Sequence, residues 1–242
     1  MEFRLPQSLK KTNHHYCPGC GHGIAHRIFA EIVDELDIRE NIIAIAPVGC
    51  AVYGYYYWDF DAAEAPHGRP PAVATGLKRV MPDKIIVTYQ GDGDLAAIGG
   101  NEMLHAANRG ENITIFFINN VCYGMTGGQM APTTLEGQVT TTTTQGRTKA
   151  DGYPLKVCEL LSNLEGVTYL ERVTVNNPKN ILLTKKAMKK ALEYQMKGYG
   201  FSLVEILAMC PTGWRMNPLD ATNHIDTTLI KTFPLGVYKD LS

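Results

Sequence analysis

The stretch Ile85-Ile-Val-Thr-Tyr-Gln-Gly-Asp-Gly-Asp94 (IIVTYQGDGD) joins a short apolar, β-branched run to a glycine-rich turn. Runs of this kind are typical of strands that are buried on both faces of a parallel sheet. The glycines let the backbone approach a phosphate closely, and a helix beginning near Leu95 would offer free N–H groups to an anion. The stretch therefore predicts a strand, a tight turn and a helix, with an anion site between them.

Similar apolar runs recur along the chain and alternate with helical patterns. This alternation predicts an α/β fold, a doubly wound and mostly parallel sheet with helices on both faces. Ligands of such sheets bind where the carboxyl ends of strands meet helix N-termini. The predicted strands are Ile42–Ala46, Ile85–Tyr89, Ile113–Ile118, Val167–Val173 and Ser202–Leu207, and the predicted helices are His22–Leu36, Asp94–Asn108 and Pro178–Lys197.

Composition narrows the class of protein. The 242 residues are 45% hydrophobic and include 23 glycines, which suits one large α/β domain over residues 1–242. The formal net charge of −1 provides no basic field for nucleic acid. No apolar run approaches the ~20 residues that cross a bilayer, and Met1 to Lys11 lacks the apolar core of a signal peptide. We therefore predict a cytoplasmic protein. A separate prediction is that the tail, about residues 212–242, extends onto a partner.

Two strand ends carry oxygen ligands that suit a magnesium ion. Asp92 follows the strand Ile85–Tyr89, and Asn119-Asn120 ends the run that begins at Ile113. Adjacent parallel strands would bring this carboxylate and amide to one edge of the sheet, and Mg²⁺ prefers such hard oxygen ligands. Gly-Asp-Gly alone could be an ordinary turn. The two elements together favour a site for Mg²⁺ and a diphosphate.

The chain has six cysteines, and four of them stand at or near the ends of predicted elements. In a cytosolic chain of this size, a disulfide framework is not expected. Four thiolates can hold a [4Fe–4S] cluster or a structural Zn²⁺, and the spacing does not separate these two; buried thiols without a metal are the third alternative. Cys122 and Cys158 are predicted to be packed thiols. The candidate ligands are Cys17, Cys20, Cys50 and Cys210.

From about His14 to about Asn217 the chain resembles the thiamine-diphosphate-binding β-type subunits of 2-oxoacid:ferredoxin oxidoreductases, and most closely those that act on 2-ketoisovalerate. The motif Gly-Asp-Gly followed by Asn-Asn is the thiamine diphosphate motif of this resemblance. The other matching stretches are Tyr16–Gly23 (YCPGCGHG), Val48–Cys50, His67–Arg69 (HGR), Ala74–Lys78, Tyr123–Gln129 (YGMTGGQ), Pro132–Thr133 and Met209–Thr212.

The resemblance implies that one [4Fe–4S] cluster is ligated by Cys17, Cys20, Cys50 and Cys210. It implies that Mg²⁺ is held by Asp92, Asn120 and the main-chain carbonyl of Cys122. His67 is implied to be a catalytic residue near cofactor and substrate, with a hydrogen-bonded loop histidine as the alternative. The implied cofactor contacts are Gly49, Cys50, His67, Gly91, Asp92, Gly93, Asp94, Asn120, Tyr123, Gly124, Met125 and Thr126.

The implied activity is the oxidative decarboxylation of a 2-oxoacid to acyl-CoA and CO₂ in an anaerobic metabolism, with electrons passing through the cluster to ferredoxin. The glutamate that activates thiamine diphosphate belongs, in this family, to a pyrimidine-binding α-type subunit. The resemblance therefore implies an obligate heteromer with that subunit, and with γ and ferredoxin-like δ subunits as further candidates.

Branched-chain 2-oxoacids such as 2-ketoisovalerate are the favoured substrates. Relatives that act on 2-oxoglutarate tend to carry a lysine at Gly127, and relatives that act on pyruvate tend to carry an asparagine near Met125. Apolar Met125 suits an apolar substrate side chain. The segment Tyr53–Trp58 (YGYYYW) either adds apolar walls to the pocket or packs a subunit interface. The alternatives are 2-oxoglutarate, pyruvate and arylpyruvates.

Other functions and several residue roles stay open at this point. A non-oxidative carboligase is disfavoured by the four cysteines, and a non-catalytic subunit stabilised by zinc or a cluster is disfavoured by the intact Asp92 and Asn120. Arg69 either binds an anion or braces a loop. His105 is expected to pack in the core. The threonine run Thr140–Thr144 lies in a predicted loop that is either exposed or covers a site or a partner.

Overall fold

The apolar runs form the centre of a seven-stranded sheet in a computed structural model of the chain, which describes residues 5–241. The strand order is β2-β1-β3-β4-β6-β5-β7, and every neighbouring pair is parallel except β5 and β7. Every residue of the central strands β1, β4 and β6 is buried. The strands are β1 Ile42–Ala46, β2 Asp61–Glu64, β3 Ile85–Gly91, β4 Thr114–Asn119, β5 Val167–Thr174, β6 Phe201–Leu207 and β7 Gly236–Asp240.

Helices cover both faces of the sheet, as the alternation of patterns predicts. One hydrophobic core lies between the sheet and the helices α1 and α6, and the other lies beneath α3, α4 and α5. The α-helices are α1 Gly21–Glu35, α2 Gly54–Tyr57, α3 Pro70–Val80, α4 Gly100–Asn108, α5 Val157–Leu161, α6 Pro178–Met196, α7 Pro211–Trp214, α8 Pro218–His224 and α9 Ile230–Thr232. Short 3₁₀ and π-helical turns occupy Lys149–Asp151, Gly93–Ile98 and Ile225–Leu229.

The doubly wound α/β prediction is confirmed, and all five predicted strands are present within two residues of their predicted ends. The predicted helix Asp94–Asn108 is divided. A π-helical turn over Gly93–Ile98 precedes α4, and Gly99 separates the two. The amide of Gly99 donates to the carbonyl of Asp94, which is the five-residue spacing of a π-turn.

The C-terminal residues fold against the sheet of their own chain. Strand β7 pairs with β5 in the antiparallel direction, and Phe233, just before it, is fully buried. The predicted extension of residues 212–242 onto a partner stays a prediction. Within residues 5–241, no helix is long and apolar enough to cross a membrane.

A buried ion-pair network joins β5, β6 and α5. Arg172 Nε lies 2.9 Å from Glu205 Oε2, and both side chains are fully buried. The same guanidinium contacts Glu159 at 2.5 Å, and Asn119 Nδ2 donates to the other oxygen of Glu205 at 2.7 Å. Because each charge has a partner, the network holds the end of β4, one residue before Asn120, in a fixed position.

Replacing Arg172 with alanine is expected to lower the free energy of unfolding by about 3–5 kcal/mol, because Glu205 would be left as an unpaired buried charge. Urea denaturation followed by circular dichroism measures this change. The matched control is Arg79→Ala, since Arg79 is 63% exposed and pairs with Glu111 at the surface. That variant should cost at most about 1 kcal/mol. Equal losses of unfolding free energy in both variants would contradict the assignment of Arg172 as the partner of a buried charge.

Candidate cofactor site

Asp92 stands at the carboxyl end of β3, where the strand meets the π-helical turn. Its side chain is buried, and its two oxygens accept hydrogen bonds from different parts of the chain. The amide of Gly93 donates to Oδ1 at 2.8 Å, and the hydroxyl of Thr133 donates to Oδ2 at 2.6 Å. Burial raises the pKa of Asp92 to about 7, although both hydrogen bonds oppose the shift. The two hydrogen bonds therefore hold the carboxyl group in one orientation, and a bound cation would favour its charged form.

The end of β4 lies beside Asp92, because β3 and β4 are parallel neighbours with Gly91 opposite Ile118. The following residue pair, Asn119-Asn120, is buried. Val121 has a φ of +54°, a left-handed conformation that is a true outlier for a β-branched residue. Such strain is typical of functional turns that are held by the surrounding structure. The strained turn reverses the chain so that Asn120 and Cys122 both line one cavity.

A cavity of about 110 Å³ occupies this edge of the sheet. Every residue predicted to contact the cofactor lines it, so the structure brings the whole predicted set together. Val48, His22 and Cys122 complete the lining. The predicted set is Gly49, Cys50, His67, Gly91, Asp92, Gly93, Asp94, Asn120, Tyr123, Gly124, Met125 and Thr126.

Glycine is required at position 93 because the Tyr123 ring lies directly against it. A Cβ atom at this position would be 2.1 Å from Cε1 of Tyr123, a distance that no real contact allows. The close approach packs the loop after β4 against the turn after β3. Both loops that carry the predicted diphosphate contacts therefore form one surface.

Asp94 is engaged by protein donors on both of its oxygens. Its Oδ1 accepts from the amides of Gly68 at 2.9 Å and Val48 at 3.3 Å, and its Oδ2 accepts from Gln90 Nε2 at 2.6 Å. His67 Nδ1 also lies 2.6 Å from Oδ1. The carboxylate thus fixes the loops that contain Val48 and His67, and its contact with Nδ1 orients the His67 ring. Contact between Asp94 and a cofactor stays a prediction.

The predicted cluster cysteines converge beside this cavity. Gly124 lies against two of them, since a Cβ at this position would be 3.2 Å from Sγ of Cys210 and 3.5 Å from Sγ of Cys50. The amide of Gly21 donates to the carbonyl of Met209 at 3.0 Å, which holds the Cys17–Cys20 turn next to Cys210. All six cysteines are free thiols, and within residues 5–241 no three acidic, cysteine or histidine side chains are placed around one metal ion.

The pKa values of Cys20, Cys50 and Cys210 depart from the ordinary value of a thiol. Burial raises the pKa of Cys20 and that of Cys50 to about 12, so both stay protonated without a metal. A hydrogen bond from Cys122 lowers the pKa of Cys210. A Cβ at Gly213 would touch both of these sulfurs, at 2.7 and 2.8 Å, so Cys122 packs against a predicted ligand. Cys158 lies apart from them, on the buried face of α5.

Two polar side chains at or next to the cavity had no predicted role. Thr133 orients Asp92, although 41 positions separate them in the sequence. His22 has its Nδ1 3.2 Å from the Tyr89 hydroxyl and its ring stacked on Tyr16, with centroids 5.0 Å apart. Burial lowers the pKa of His22 to about 3, so the ring is neutral. Both stand in stretches that carry the family resemblance, which is the only signal that could have selected them.

Three further expectations are settled by position. Arg69 forms an ion pair with Glu102 and donates to the carbonyl of Ile98 at 3.3 Å, so it braces a loop. The expectation that His105 packs in the core is wrong, because the side chain is exposed on the outer face of α4. No residue of Tyr53–Trp58 lines the cavity; within this segment Trp58 is a core residue.

The pH dependence of cation binding follows from the pKa of Asp92. The folded chain keeps this proton to about pH 7, whereas the ordinary value is 3.8. Between these values the folded state binds more protons than the unfolded state, so the metal-free chain loses stability as pH rises. A divalent cation needs the carboxylate, so its affinity should rise with pH and level off above about 7. Calorimetric titration with Mg²⁺ and thiamine diphosphate measures this, and Asp92→Asn should remove the dependence.

Comparison with known proteins agrees with this geometry. Residues 48–206 match the family described as thiamine pyrophosphate enzyme, C-terminal TPP binding domain. The ketoisovalerate oxidoreductase subunit VorA of Methanothermobacter thermautotrophicus is 50% identical over 96% of this chain and 49% of its own length. The chain therefore spans about half the length of that relative. The 2-oxoglutarate synthase subunit KorB of Methanocaldococcus jannaschii is 40% identical over 82% of this chain and 70% of its own length.

A solved structure shares the whole fold. The 2-oxoglutarate:ferredoxin oxidoreductase of Magnetococcus marinus, determined with 2-oxoglutarate, coenzyme A and succinyl-CoA bound, superposes with a TM-score of 0.81 at 28% identity. The match covers 100% of this chain and 87% of the matched chain.

Proposed function

The chain belongs to the family of thiamine-diphosphate-binding subunits of 2-oxoacid:ferredoxin oxidoreductases, and on that premise we propose that it binds thiamine diphosphate, Mg²⁺ and one [4Fe–4S] cluster. The proposed reaction is the oxidative decarboxylation of a 2-oxoacid to acyl-CoA and CO₂, with ferredoxin as the electron acceptor. When bound, thiamine diphosphate supplies the carbanion chemistry by which CO₂ leaves a 2-oxoacid. The carrying observation is the single cavity lined by all twelve predicted contact residues.

The chain's own residues position the reacting groups. Asp92, Asn120 and the main-chain carbonyl of Cys122 would hold Mg²⁺ on the diphosphate, since they meet at one strand edge. His67, with its Nδ1 against Asp94, would present its other nitrogen to the substrate. Cys17, Cys20, Cys50 and Cys210 would ligate the cluster, and Cys50 also lines the cavity. Because Cys50 belongs to both sets of residues, the cluster would lie beside the cofactor cavity.

The catalytic unit would include a second chain. A pyrimidine-binding α-type subunit would supply the activating glutamate at a shared interface, and γ and δ subunits are further candidate partners. The exposed rings of Tyr53 (40%) and Tyr56 (58%) suit such an interface better than a pocket wall, because they lie outside the cavity. An anaerobic metabolism and a cytoplasmic location stay predictions from the sequence.

Branched-chain 2-oxoacids, with 2-ketoisovalerate foremost, fit the lining best. No lysine or arginine is among the described residues that line the cavity, and His22 is neutral. The described lining of the cavity thus offers no lysine or arginine to the second carboxylate of 2-oxoglutarate. Gly127 has a φ of +119°, so a lysine at this position would require a different backbone. Met125 lines the cavity with an adaptable apolar side chain.

Replacing Met125 with lysine is expected to lower kcat/KM for 2-ketoisovalerate at least about tenfold, because a charge would face an apolar substrate group. The loss for 2-oxoglutarate should be smaller or reversed. Met196→Lys is the matched control, since both methionines are 50% exposed and Met196 lies outside the cavity. Ferredoxin reduction by the complex of this chain with its natural partners measures both substrates.

The same assay on the unchanged complex tests the substrate proposal. We expect CoA-dependent ferredoxin reduction with 2-ketoisovalerate, and weaker reduction with pyruvate, 2-oxoglutarate and phenylpyruvate. A clear preference for 2-oxoglutarate would reject the branched-chain proposal and keep the reaction class. No reduction with any 2-oxoacid would favour the non-catalytic alternative.

A further inference from the structure

Arg147 is a buried arginine at the centre of the long loop between β4 and α5. Only 5% of it is exposed. Its guanidinium donates only to main-chain carbonyls among its recorded hydrogen bonds. These are the carbonyls of Ala131 (3.4 Å), Pro132 (2.9 Å), Thr134 (2.5 Å), Asp151 (3.5 Å), Gly152 (2.9 Å) and Tyr153 (2.9 Å).

These carbonyls belong to two separate parts of the loop, residues 131–134 and residues 151–153. The backbone of Arg147 joins a third part, because Gly137 donates to its carbonyl at 2.8 Å and its amide donates to Gln138 at 3.0 Å. A buried guanidinium is costly unless its donors are satisfied. The five N–H donors in a rigid plane suit several carbonyls at once. The side chain is therefore the hub that closes this loop.

The first part of the loop carries the two threonines that contact the cofactor site. Thr133 donates to Asp92 Oδ2 at 2.6 Å, and Thr134 donates to the carbonyl of the strained Val121 at 2.7 Å. Arg147 Nη1 binds the carbonyls on both sides of Thr133, those of Pro132 and Thr134. Arg147 therefore binds the main chain on both sides of Thr133.

We propose that Arg147 is a positioning residue for the Mg²⁺–diphosphate site and acts through Thr133, which orients the Asp92 carboxylate. The inference rests on the proposed function, because it concerns the same cofactor. Loss of the guanidinium frees residues 131–134, and Asp92 then loses its fixed orientation. Thr133 is the direct hydrogen-bond partner of the predicted metal ligand Asp92, and loss of such a partner changes metal affinity by about 10–100-fold. Loss of Arg147 should act through this same contact.

The test is a double-mutant cycle on the complex of the full chain with its natural partners, stripped of cofactor. Calorimetry measures the affinity for thiamine diphosphate at fixed Mg²⁺ in wild type, Arg147→Gln, Thr133→Val and the double variant. We expect each single substitution to weaken binding at least about tenfold. The double variant should bind no more than about threefold worse than the single variant that binds more weakly. Thr144→Val, in an exposed part of the same loop, should bind as wild type does.

The cycle separates positioning from general stability. If Arg147 had only a structural role, Thr133→Val would weaken binding by the same factor with or without Arg147. The two losses of affinity would then multiply in the double variant, and that result would overturn the inference. Should Arg147→Gln fail to fold, Arg147→Lys keeps the charge with fewer donors, and an unchanged affinity in that variant would also overturn it. If wild type binds the cofactor and both Arg147 variants bind it as well as wild type does, only this inference is wrong and the proposed function stands. If wild type does not bind, the proposed function fails and the inference falls with it.

Discussion

Replacing Asp92 with alanine is expected to abolish binding of Mg²⁺ and thiamine diphosphate while leaving the iron in place. Asp92 is the carboxylate at the end of β3, and its oxygens accept hydrogen bonds from Gly93 and Thr133. The other carboxylate that lines the described cavity, Asp94, accepts three hydrogen bonds and also contacts His67, so it is the more fully engaged of the two. Removing a contact one layer out already costs about 10–100-fold, so loss of the ligand itself should exceed about 100-fold. Calorimetry and the measured iron content give the two readouts.

The metal-free Asp92→Ala chain should remain folded. Burial raises the pKa of Asp92 to about 7, which means that the fold disfavours its charge, and alanine removes that cost. Asp83→Ala is the control, because Asp83 is exposed two residues before β3, at the opposite end of the strand from Asp92. Simultaneous loss of cofactor, iron and thermal stability would show that the motif is structural.

Replacing Cys17 with alanine is expected to remove most of the iron and the ability to reduce ferredoxin. Cys17 is exposed, so its loss should cost little folding stability. Cys158→Ala is the matched control, since that residue of α5 is fully buried in the core and away from the predicted ligands. On burial alone, the substitution of Cys158 would be expected to cost more folding stability than that of Cys17. Here the exposed one should lose the cluster, because its thiolate is one of four ligands.

Iron, sulfide and thiamine diphosphate content, with thermal melting, measure this pair of variants. Cys17→Ala should keep the cofactor, because Cys17 does not line the cavity. Retention of all iron in Cys17→Ala would contradict the proposed ligand set. Loss of iron in Cys158→Ala without loss of stability would point to a different set.

The buried centre of the fold could be predicted because its strands carry a strong local signal. The runs at Ile42 and Ile113 are apolar on both faces, which only a covered parallel strand allows. The edge strands carry no such signal. Strand β2, Asp61–Glu64, is largely exposed and has charged ends, and β7 is largely exposed as well. Their pairing depends on the neighbouring strand rather than on their own residues.

The residues that bear directly on the site were predictable where a motif marks a strand end, as for Asp92 and Asn120. Those that act on them from a distance were not. Thr133 reaches Asp92 across 41 positions, and Arg147 reaches Pro132 across 15, through a loop whose path has no periodicity. The left-handed Val121 has no sequence signal either, since a β-branched residue is normally excluded from that conformation.

The central claim is that one chain holds thiamine diphosphate and a [4Fe–4S] cluster side by side. The most direct test is the content of iron, sulfide and thiamine diphosphate per protomer, in protein purified anaerobically with its partners, followed by EPR after addition of 2-ketoisovalerate and then CoA. We predict about four irons and one cofactor, with a reduced-cluster signal that depends on the 2-oxoacid. Zinc in place of iron, with no thiamine diphosphate bound, would contradict the claim.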